Sequence, residues 1–370
     1  MKVDIITRHS VPNYGSLLQS YATQKAIEKM GHESEIINYV RYEERYKNLA
    51  STLVKGKKWD KNFVLRTIYK IIQSPNYSKM YKRFAKYKKE ILKETELEYG
   101  SIKELEDNLP IADVYCSGSD QIWGSIGTVD YDEAYFLEFA KGRKCISYSS
   151  SFGKTELSEK LDRNLDNLLS KFSRILIREK SAKQLLENRN INNVEQVLDP
   201  TLLLSKNEWM KFSEKSTKKI NGKYVLVYQL HDNKDFDKYA KKFAKFKNMK
   251  LLRISPSLYH ITRSGKLIYL PTQYDFVKYF MNAEYILTDS FHATVFSIIF
   301  NRKFIDVLPP NKTGTRIQSI LDLFGINNRI LQSFDDMKLI DEEIEYIKVN
   351  SRIEEEREKS LRLFKDSIEN

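Results

Sequence analysis

Four short polar clusters in the sequence combine residue types that could do chemistry, and each follows an apolar run. The last cluster is residues 288–294 (TDSFHAT), where a helical pattern begins and His292 falls in its first turn. A helix N-terminus favours an anion, and Ser290 stands at a position typical of helix caps. A single histidine is more often structural than catalytic, but α/β proteins present ligands at such strand ends. We therefore interpret His292 as a candidate site residue.

The first cluster is residues 9–19 (HSVPNYGSLLQ), between a predicted strand and a predicted helix. Gly15 would let the backbone turn tightly into the helix, and the free N–H groups there could hold an anion or a sugar hydroxyl. We predict that Asn13, Tyr14 and Gly15 contact a sugar. The alternative is an ordinary turn, which is the commoner role of a glycine before a helix.

The second cluster is residues 116–123 (CSGSDQIW), a small-residue turn that follows a strand. Asp120 could accept a hydroxyl proton and is a candidate base, while Trp123 could form a platform for a sugar. We predict that Ser119 and Gln121 contribute to the same acceptor site. The alternative reading is a loop with a capping aspartate and a tryptophan in the core.

The third cluster is Arg178-Glu179, and its arginine, like two basic residues in a later loop, could hold the anionic part of a substrate. Arg178 precedes Glu179 at the end of a strand, where its guanidinium could bind a carboxylate or phosphate in a bidentate manner. An exposed salt bridge to Glu179 is the alternative. Lys312 and Arg316 flank a glycine in a loop that enters another helix, and could neutralise a phosphate.

The elements that must position these clusters follow a repeated strand–helix rhythm. Two consecutive runs of alternating strands and helices predict an α/β fold with two open parallel sheets that face a cleft. We predict an N-terminal Rossmann-like domain over 1–205 and a C-terminal Rossmann-like donor domain over 222–345. A helix within 346–370 is predicted to pack back towards the first domain.

Length and composition set limits on the class of protein. The 370 residues suit two domains. The sequence contains no apolar run long enough to span a membrane, and the N-terminal run is too short for a signal peptide. Cys116 and Cys145 are the only cysteines, and their spacing predicts neither a disulfide framework nor a metal site. We predict a cytoplasmic protein.

The net charge of +12 is concentrated in one segment, residues 41–93, which holds 16 Lys or Arg and 4 Asp or Glu. We predict a basic helical insertion there, in which Pro75 separates two helices. Its charges could form a solvated helical face, or bind an anionic membrane or a lipid phosphate. Nucleic acid is a third alternative, but no nucleic-acid-binding motif supports it, and we expect no nucleic-acid partner.

Six motifs in order resemble the polysaccharide pyruvyltransferase family. They are NYGSLLQSYATQKAIEKMGHESEIINY, GSDQIW, YFLEFAKGRKCISYSSSFG, IREKSA, VLDPTLLL and TDSFHATVFSIIF, within about residues 3–330. The resemblance implies two Rossmann-like domains in an arrangement like that of the glycosyltransferase-B (GT-B) fold. It also implies phosphoenolpyruvate as the donor substrate, a pyruvate ketal on two sugar hydroxyls as the product, and neither a cofactor nor a metal.

The resemblance also implies roles for individual residues. His292 matches the histidine that is taken as the acid in this family, and Arg178 matches an arginine taken to hold the donor. One departure concerns the residues before the histidine, where family members often have an arginine that Ser290 replaces here, followed by Phe291. We place Ser290 and Phe291 in the donor site, where Lys312 or Arg316 could replace the missing charge.

We therefore predict pyruvyl transfer to a polysaccharide repeat unit, such as that of a capsule or exopolysaccharide. The acceptor would be lipid-linked, and the enzyme would bind peripherally at the inner membrane face. Two alternatives remain at this stage. One is a GT-B glycosyltransferase that uses a nucleotide sugar, and the other is a non-catalytic subunit of a surface-polysaccharide assembly complex.

Overall fold

Two parallel sheets with interleaved helices make up the fold. The structure is a computed structural model that describes residues 1–45, 48, 62–125, 130–154, 156–309 and 314–370. Lys312 and residues 46, 47 and 49–61 of the predicted basic insertion lie outside the described residues. Both sheets confirm the α/β class predicted from the strand–helix rhythm.

The N-terminal sheet contains six strands in the spatial order β2-β1-β3-β4-β5-β6, with every pairing parallel. Its strands are β1 (Lys2–Ile6), β2 (Glu33–Ile36), β3 (Val114–Ser117), β4 (Lys144–Ser150), β5 (Phe172–Ile177) and β6 (Val194–Gln196). The chain leaves β1 towards β2 and returns on the other side at β3. The carboxyl ends of β1 and β3 therefore border a crevice, where open α/β sheets bind ligands.

The C-terminal sheet contains five parallel strands in the spatial order β11-β10-β7-β8-β9. Its strands are β7 (Tyr224–Tyr228), β8 (Lys250–Ser255), β9 (Lys266–Tyr269), β10 (Tyr285–Thr288) and β11 (Lys303–Asp306). Here the strand order reverses between β7 and β10, which creates a second crevice. We call each sheet with its helices the N-terminal and the C-terminal unit.

Helices cover both faces of the sheets, because a parallel sheet must be buried on both sides. In chain order they are α1 (Tyr14–Lys29), α2 (Phe63–Ile91), α3 (Ile102–Asp107), α4 (Glu159–Leu169), α5 (Lys180–Glu187), α6 (Pro200–Leu203), α7 (Lys206–Ser213), α8 (Lys234–Phe246), α9 (Gln273–Asn282), α10 (Phe291–Ile299), α11 (Thr315–Phe324) and α12 (Tyr346–Glu369). Helix α1 follows β1 and helix α10 follows β10, so each helix begins at a crevice.

One hydrophobic cluster extends across both units. The ring of Tyr14 stacks on Phe276 of α9 with centroids 4.6 Å apart, and its hydroxyl donates to the carbonyl of Pro271 at 2.8 Å. Phe84 of α2 packs against the same tyrosine ring at 4.9 Å. The two crevices are therefore held against each other by buried apolar contacts. The domain boundaries at 205 and 222 stay predictions.

Helix α2 differs from the sequence-based expectation. Pro75 does not separate two helices but lies inside one continuous helix. Proline has no N–H to donate to the carbonyl of Ile71, four residues earlier. Both residues are exposed, so water can bond to that carbonyl, which lowers the cost of the interruption. On the buried side of the same helix, Met80 and Phe84 pack into the core.

Helix α12 crosses from the C-terminal unit to the N-terminal sheet. Near its start, the hydroxyl of Tyr346 donates to the carbonyl of Arg302 at 2.5 Å. Towards its end, Phe364 stacks on Tyr148 of β4 with ring centroids 4.0 Å apart. The helix therefore fastens the two units together.

Cys116 and Cys145 are both buried and free. Within the described ranges, we find no helix whose length and hydropathy would allow it to cross a membrane.

Candidate active site

The two crevices meet at a cavity of about 150 Å³ between the units. The N-terminal unit lines it through loops after β1 and β3, and the C-terminal unit through loops after β7 and β10. The lining residues are Arg8, Asn13, Ser16, Asp120, Gln121, Leu230, His231, Asp289, Ser290, Phe291, His292, Pro309, Arg316 and Ile317. The fold thus brings together three of the four predicted clusters in one site.

Gly15 and His292 are in close contact where the N-termini of α1 and α10 meet. A Cβ atom built on Gly15 would overlap the imidazole ring of His292. Asn13 caps α1, since its side chain accepts the N–H groups of Gly15 at 2.8 Å and of Ser16 at 3.4 Å. The glycine is therefore required for close approach between the two helices, and not for the tight turn that the sequence suggested.

His292 is buried among charged groups. Burial lowers the pKa of its imidazole below the ordinary value, while the carboxylates of Asp199 and Asp120 act in the opposite direction. Its Nε2 atom lies 3.7 Å from Oδ2 of Asp199 and has no hydrogen-bond partner. The ring is therefore neutral near pH 7 in the free protein, and can take up a proton when more negative charge arrives.

Asp120 lies opposite His292, on the N-terminal side of the cavity. Burial alone would raise the pKa of its carboxyl, but the positive charges of His292, which is protonated at the acid pH where this carboxyl titrates, and of Arg178 hold that pKa well below its usual range. The hydroxyl of Ser16 donates to Oδ2 at 2.5 Å. The backbone of Asp120 has a φ of 81°, an uncommon conformation for a residue with a side chain. The carboxylate is thus held ionised in a constrained position.

Two arginines enclose the ring of Phe291. The guanidinium of Arg178 lies 4.7 Å from the ring centroid and that of Arg316 lies 5.7 Å from it. Arg178 donates to Asp199 at 3.0 Å, and its Nε lies 3.6 Å from a carboxylate oxygen of Glu179. The salt bridge to Glu179 that the sequence left as an alternative is therefore present, but it is buried and not exposed. Both arginines border a small second cavity of about 10 Å³, and Arg316 also borders the main cavity.

Several buried nitrogen atoms around the cavity lack a hydrogen-bond partner. They are Nε and Nη2 of Arg178, Nε of Arg316 and Nε2 of His292. Burial, followed by the charge of Arg178, lowers the pKa of Arg316 to about 10, which still leaves it charged near neutral pH. Buried donors are normally satisfied, so this concentration favours a bound anion.

Sequence reasoning missed the pair formed by His231 and Asp289. The Nδ1 atom of His231 lies 3.1 Å from Oδ2 of Asp289, and the carboxylate also accepts the N–H groups of Leu230 and His231. The pair joins the loop after β7 to the loop after β10. Asp289 belonged to a quoted motif, but His231 had no signal beyond its place after a strand.

Arg8 and Asp199 were also missed as site residues. Arg8 follows β1, lines the cavity and forms an ion pair with Glu44 at 2.6 Å. Asp199 follows β6 in the quoted VLDPTLLL motif, and joins Arg178 to His292 from behind the cavity. Each of the two residues follows a strand, and this position could have identified it from the sequence as a candidate site residue.

Three predicted acceptor residues lie in the core. Trp123 is fully buried, stacks on Phe136 and donates to Ser117, so the predicted sugar platform is wrong. Its alternative reading as a core tryptophan is correct. Tyr14 is equally buried in the contact between units, and Ser119 is buried beneath the site near Asp199. None of the three lines the cavity, because their side chains point into the packed interior.

The remaining predictions divide between the cavity wall and its surroundings. Asn13, Gln121 and Ser290 line the cavity. Ser290 occupies the cap position of α10, but its side chain makes no capping hydrogen bond, which corrects the expected cap. Lys312 lies outside the described residues. Within the described ranges, no group of three or more His, Cys, Asp or Glu side chains could hold a metal ion.

A family model described as polysaccharide pyruvyl transferase matches residues 13–311, more than half of the chain. The chain belongs to this family. The matched range includes the loops after β3, β7 and β10 that line the cavity, but not Arg8. A comparison with curated proteins finds no match.

Solved structures similar to this polysaccharide pyruvyl transferase family member have the GT-B fold. UDP-N-acetylglucosamine 2-epimerase from Rickettsia bellii is 14% identical with a TM-score of 0.53, covering 100% of this chain and 97% of that chain. UGT89C1 from Arabidopsis thaliana, complexed with UDP-L-rhamnose, is 10% identical with a TM-score of 0.55, covering 99% and 98%. At these identities the likeness shows the fold alone.

Proposed function

We propose that the protein transfers a pyruvyl group from phosphoenolpyruvate to two hydroxyls of a sugar in a polysaccharide repeat unit, forming a ketal. The observation that carries the proposal is the buried positive charge at the cavity. Arg316 lines the cavity beside His292 and its Nε has no hydrogen-bond partner, while Arg178 lies behind Phe291. Phosphoenolpyruvate carries a carboxylate and a phosphate, which are the groups that such donors bind. It acts as a donor substrate, and the proposal includes no cofactor.

The size of the cavity supports a small donor. Its volume of about 150 Å³ is below the roughly 300 to 1,000 Å³ of sites for drug-sized ligands. Arg316 and Arg8 face the cavity directly, so we assign them to the donor's anionic groups, with Ser290 and Phe291 beside them. Arg178 lies behind Phe291 and would position the ring while adding positive charge.

In the proposed reaction one acceptor hydroxyl adds to C2 of the enol, while C3 receives a proton. The bond between C2 and the phosphate oxygen then breaks, and a second hydroxyl attacks C2 to close the ketal. The two acceptor hydroxyls together release two protons. One of them replaces the proton that the acid gave to C3, and the other leaves with the phosphate. The balanced products are the ketal and inorganic phosphate.

His292 is the proposed acid. A bound dianion favours the imidazolium, so donor binding would raise the depressed pKa of His292 and supply the proton for C3. Asp199 would stabilise that imidazolium from 3.7 Å away. Protonation would therefore follow donor binding instead of preceding it.

His231 is the proposed base for an acceptor hydroxyl. A carboxylate with a strongly depressed pKa is a weak base, so we assign Asp120 to positioning and charge balance, which revises the role expected from the sequence. His231 lines the cavity, and its contact with Asp289 fixes the orientation of its ring. Asn13 and Gln121 line the same cavity and would contact the sugar.

The proposed acceptor is a lipid-linked oligosaccharide, such as a capsule or exopolysaccharide precursor, at the cytoplasmic face of a membrane. Basic residues of α2, the described helix of the 41–93 segment, would face the anionic lipid.

Calorimetric titration with phosphoenolpyruvate, UDP-N-acetylglucosamine and UDP-L-rhamnose tests the donor. We expect binding of phosphoenolpyruvate, weakened at least tenfold in Arg316→Gln and unchanged in the surface control Arg352→Gln. Release of phosphate that depends on a sugar acceptor would support transfer. Binding of a nucleotide sugar alone would favour a glycosyltransferase, and donor binding without turnover on any acceptor would favour a non-catalytic subunit.

A further inference from the structure

Helix α2 presents apolar side chains to solvent along its first half. Val64, Ile68, Ile71 and Ile72 are between 43% and 68% exposed. Their spacing of four, seven and eight residues places them on one face of the helix. Large aliphatic side chains at this spacing normally form a buried face, so an exposed stripe of them indicates a contact with something outside the described part of the chain.

A second exposed apolar group lies next to this stripe, in the C-terminal unit. It is the short helical turn Leu258–Thr262, in which Leu258, Tyr259 and Ile261 are 46% to 65% exposed. The N–H of Leu258 and the hydroxyl of Tyr269 both donate to Oδ1 of Asn76. Asn76 lies one helical turn after Ile72 in α2. The two hydrogen bonds therefore hold the segment Leu258–Thr262 beside the exposed apolar side chains of α2. We call the seven side chains together the apolar ridge.

The charge around the apolar ridge selects among possible partners. Helix α2 contains eight Lys or Arg residues and one acidic residue, Glu90. Two copies of the chain joined at this surface would bring two strongly cationic helices together, which costs free energy. An anionic lipid bilayer satisfies both features, because its phosphates attract the cations and its acyl region accepts the apolar side chains.

We propose that the apolar ridge is a docking surface that inserts into the interface of an anionic lipid bilayer. Both units contribute to it, so docking would orient the whole molecule. Helix α2 also contacts the loop between β1 and α1, which contributes Arg8 and Asn13 to the cavity, since Nζ of Lys88 donates to Oγ of Ser10 at 3.0 Å. This inference deepens the proposed function, because a lipid-linked acceptor would be delivered at the same surface.

Sedimentation with phosphatidylcholine vesicles, with and without 30 mol% phosphatidylglycerol, tests the surface. We expect the unaltered protein to bind the anionic vesicles, and to keep part of that binding in high salt because the inserted side chains are insensitive to screening. Ile71→Ser/Ile72→Ser and Leu258→Ser/Ile261→Ser should each bind at least tenfold more weakly. The residual binding of both variants should disappear in high salt.

The matched control is Ile111→Ser/Ile347→Ser, which alters two isoleucines that are 87% and 89% exposed outside the apolar ridge. Its vesicle binding should equal that of the unaltered protein. Equal binding of all variants, or no vesicle binding at all, would overturn the inference. A dimer that the ridge substitutions dissociate, without vesicle binding, would overturn it in favour of a second copy.

The test separates this inference from the proposed function. Ridge variants should release phosphate normally with a water-soluble sugar acceptor, because none of the altered side chains lines the cavity. If the ridge variants lost turnover with the water-soluble acceptor, the apolar ridge would not act only in membrane docking, and the inference would be contradicted. Vesicle binding that depends on the ridge, in a protein that binds no phosphoenolpyruvate, would leave the surface standing and refute the donor.

Discussion

The protonation of His292 is balanced between burial and its neighbouring charges. Burial and the two nearby arginines favour the neutral ring, whereas Asp199 and Asp120 favour the imidazolium. Burial prevails, so the pKa of His292 lies below its ordinary value, and the negative charge of a bound donor would raise it. This balance suits a group that must acquire a proton when an anionic donor binds and then give it up.

Substitution of His292 by glutamine should remove the acid and keep a polar side chain of similar size. We expect turnover to fall by roughly 10²- to 10⁴-fold, the usual contribution of general acid catalysis, with little change in donor affinity. Steady-state kinetics and donor titration measure the two effects separately. Normal turnover at saturating donor would instead make His292 a binding residue, and normal activity with lower thermal stability would make it structural.

Asp199→Asn should change the pH dependence of turnover. Loss of the carboxylate 3.7 Å away would lower the pKa of His292 further. If the protonated ring is required, activity declines as pH rises through that pKa, so the decline in the variant should move to lower pH. Glu179→Gln is the control, because Glu179 also lies beside Arg178. An identical shift in both variants would refute a specific effect of Asp199 on His292.

Asp4 in β1 gives a stability prediction outside the site. Burial raises the pKa of its carboxyl to about 7 from 3.8, and neither oxygen has a hydrogen-bond partner. The unfolded chain loses this proton near pH 4, so the free energy of unfolding falls between pH 4 and 7. Asp4→Asn should remove that loss and stabilise the protein above pH 7 by at most about 4 kcal/mol, from about 1.4 kcal/mol per pKa unit. Urea denaturation at pH 4 and pH 8 should show a gain only at pH 8.

At the scale of elements, the site depends on two helices that begin at facing strand ends. Helix α1 starts after β1 and helix α10 after β10, and each strand borders the reversal of its own sheet order. Gly15 permits the two helix N-termini to approach, because it has no side chain to meet the ring of His292. The position of His292 is therefore set by helix packing as much as by its own sequence.

Gly15→Ala tests this packing. The added methyl group would displace His292 or separate α1 from α10, so we expect turnover to fall by at least tenfold with the fold retained. Activity and circular dichroism measure the two effects. Gly142→Ala is the control, since Gly142 has a φ of 70° and open space around it. That variant should lose stability by roughly 1 kcal/mol and keep normal activity, and full activity in Gly15→Ala would contradict the close contact.

At the scale of the whole molecule, the cavity exists because two units are held face to face. The apolar cluster around Tyr14 forms one contact between them, and helix α12 forms another. Arginines and carboxylates of both units then converge on a small buried volume. Any opening between the units would expose these groups to water and weaken their mutual interactions.

Phe364→Ala tests the contribution of α12. Phe364 is fully buried against Tyr148, so its loss should lower the free energy of unfolding by roughly 3 to 5 kcal/mol. Guanidinium denaturation measures the change. Ile347→Ala alters an 89% exposed residue of the same helix and should change stability by less than about 0.5 kcal/mol. Equal stability of the two variants would show that the end of α12 contributes little.

The sequence by itself determined the fold class and half of the fourteen residues that line the cavity. Strand and helix patterns are local, and the carboxyl ends of parallel strands meet at one edge of each sheet. Residues after those strands, such as Asp120 and His292, could therefore be identified from residue types and spacing alone. The order of motifs was also enough to recognise the family that the family model shows.

Only the tertiary structure decided which of these residues face the cavity. Trp123 follows Asp120 closely in sequence, yet packing turns its ring into the core, and spacing in an irregular loop does not define a face. His231 and Arg8 enter the site because two sheet reversals oppose each other, a long-range relation with no local pattern. The need for glycine at position 15 likewise arises from His292, which belongs to the other unit and is distant in the sequence.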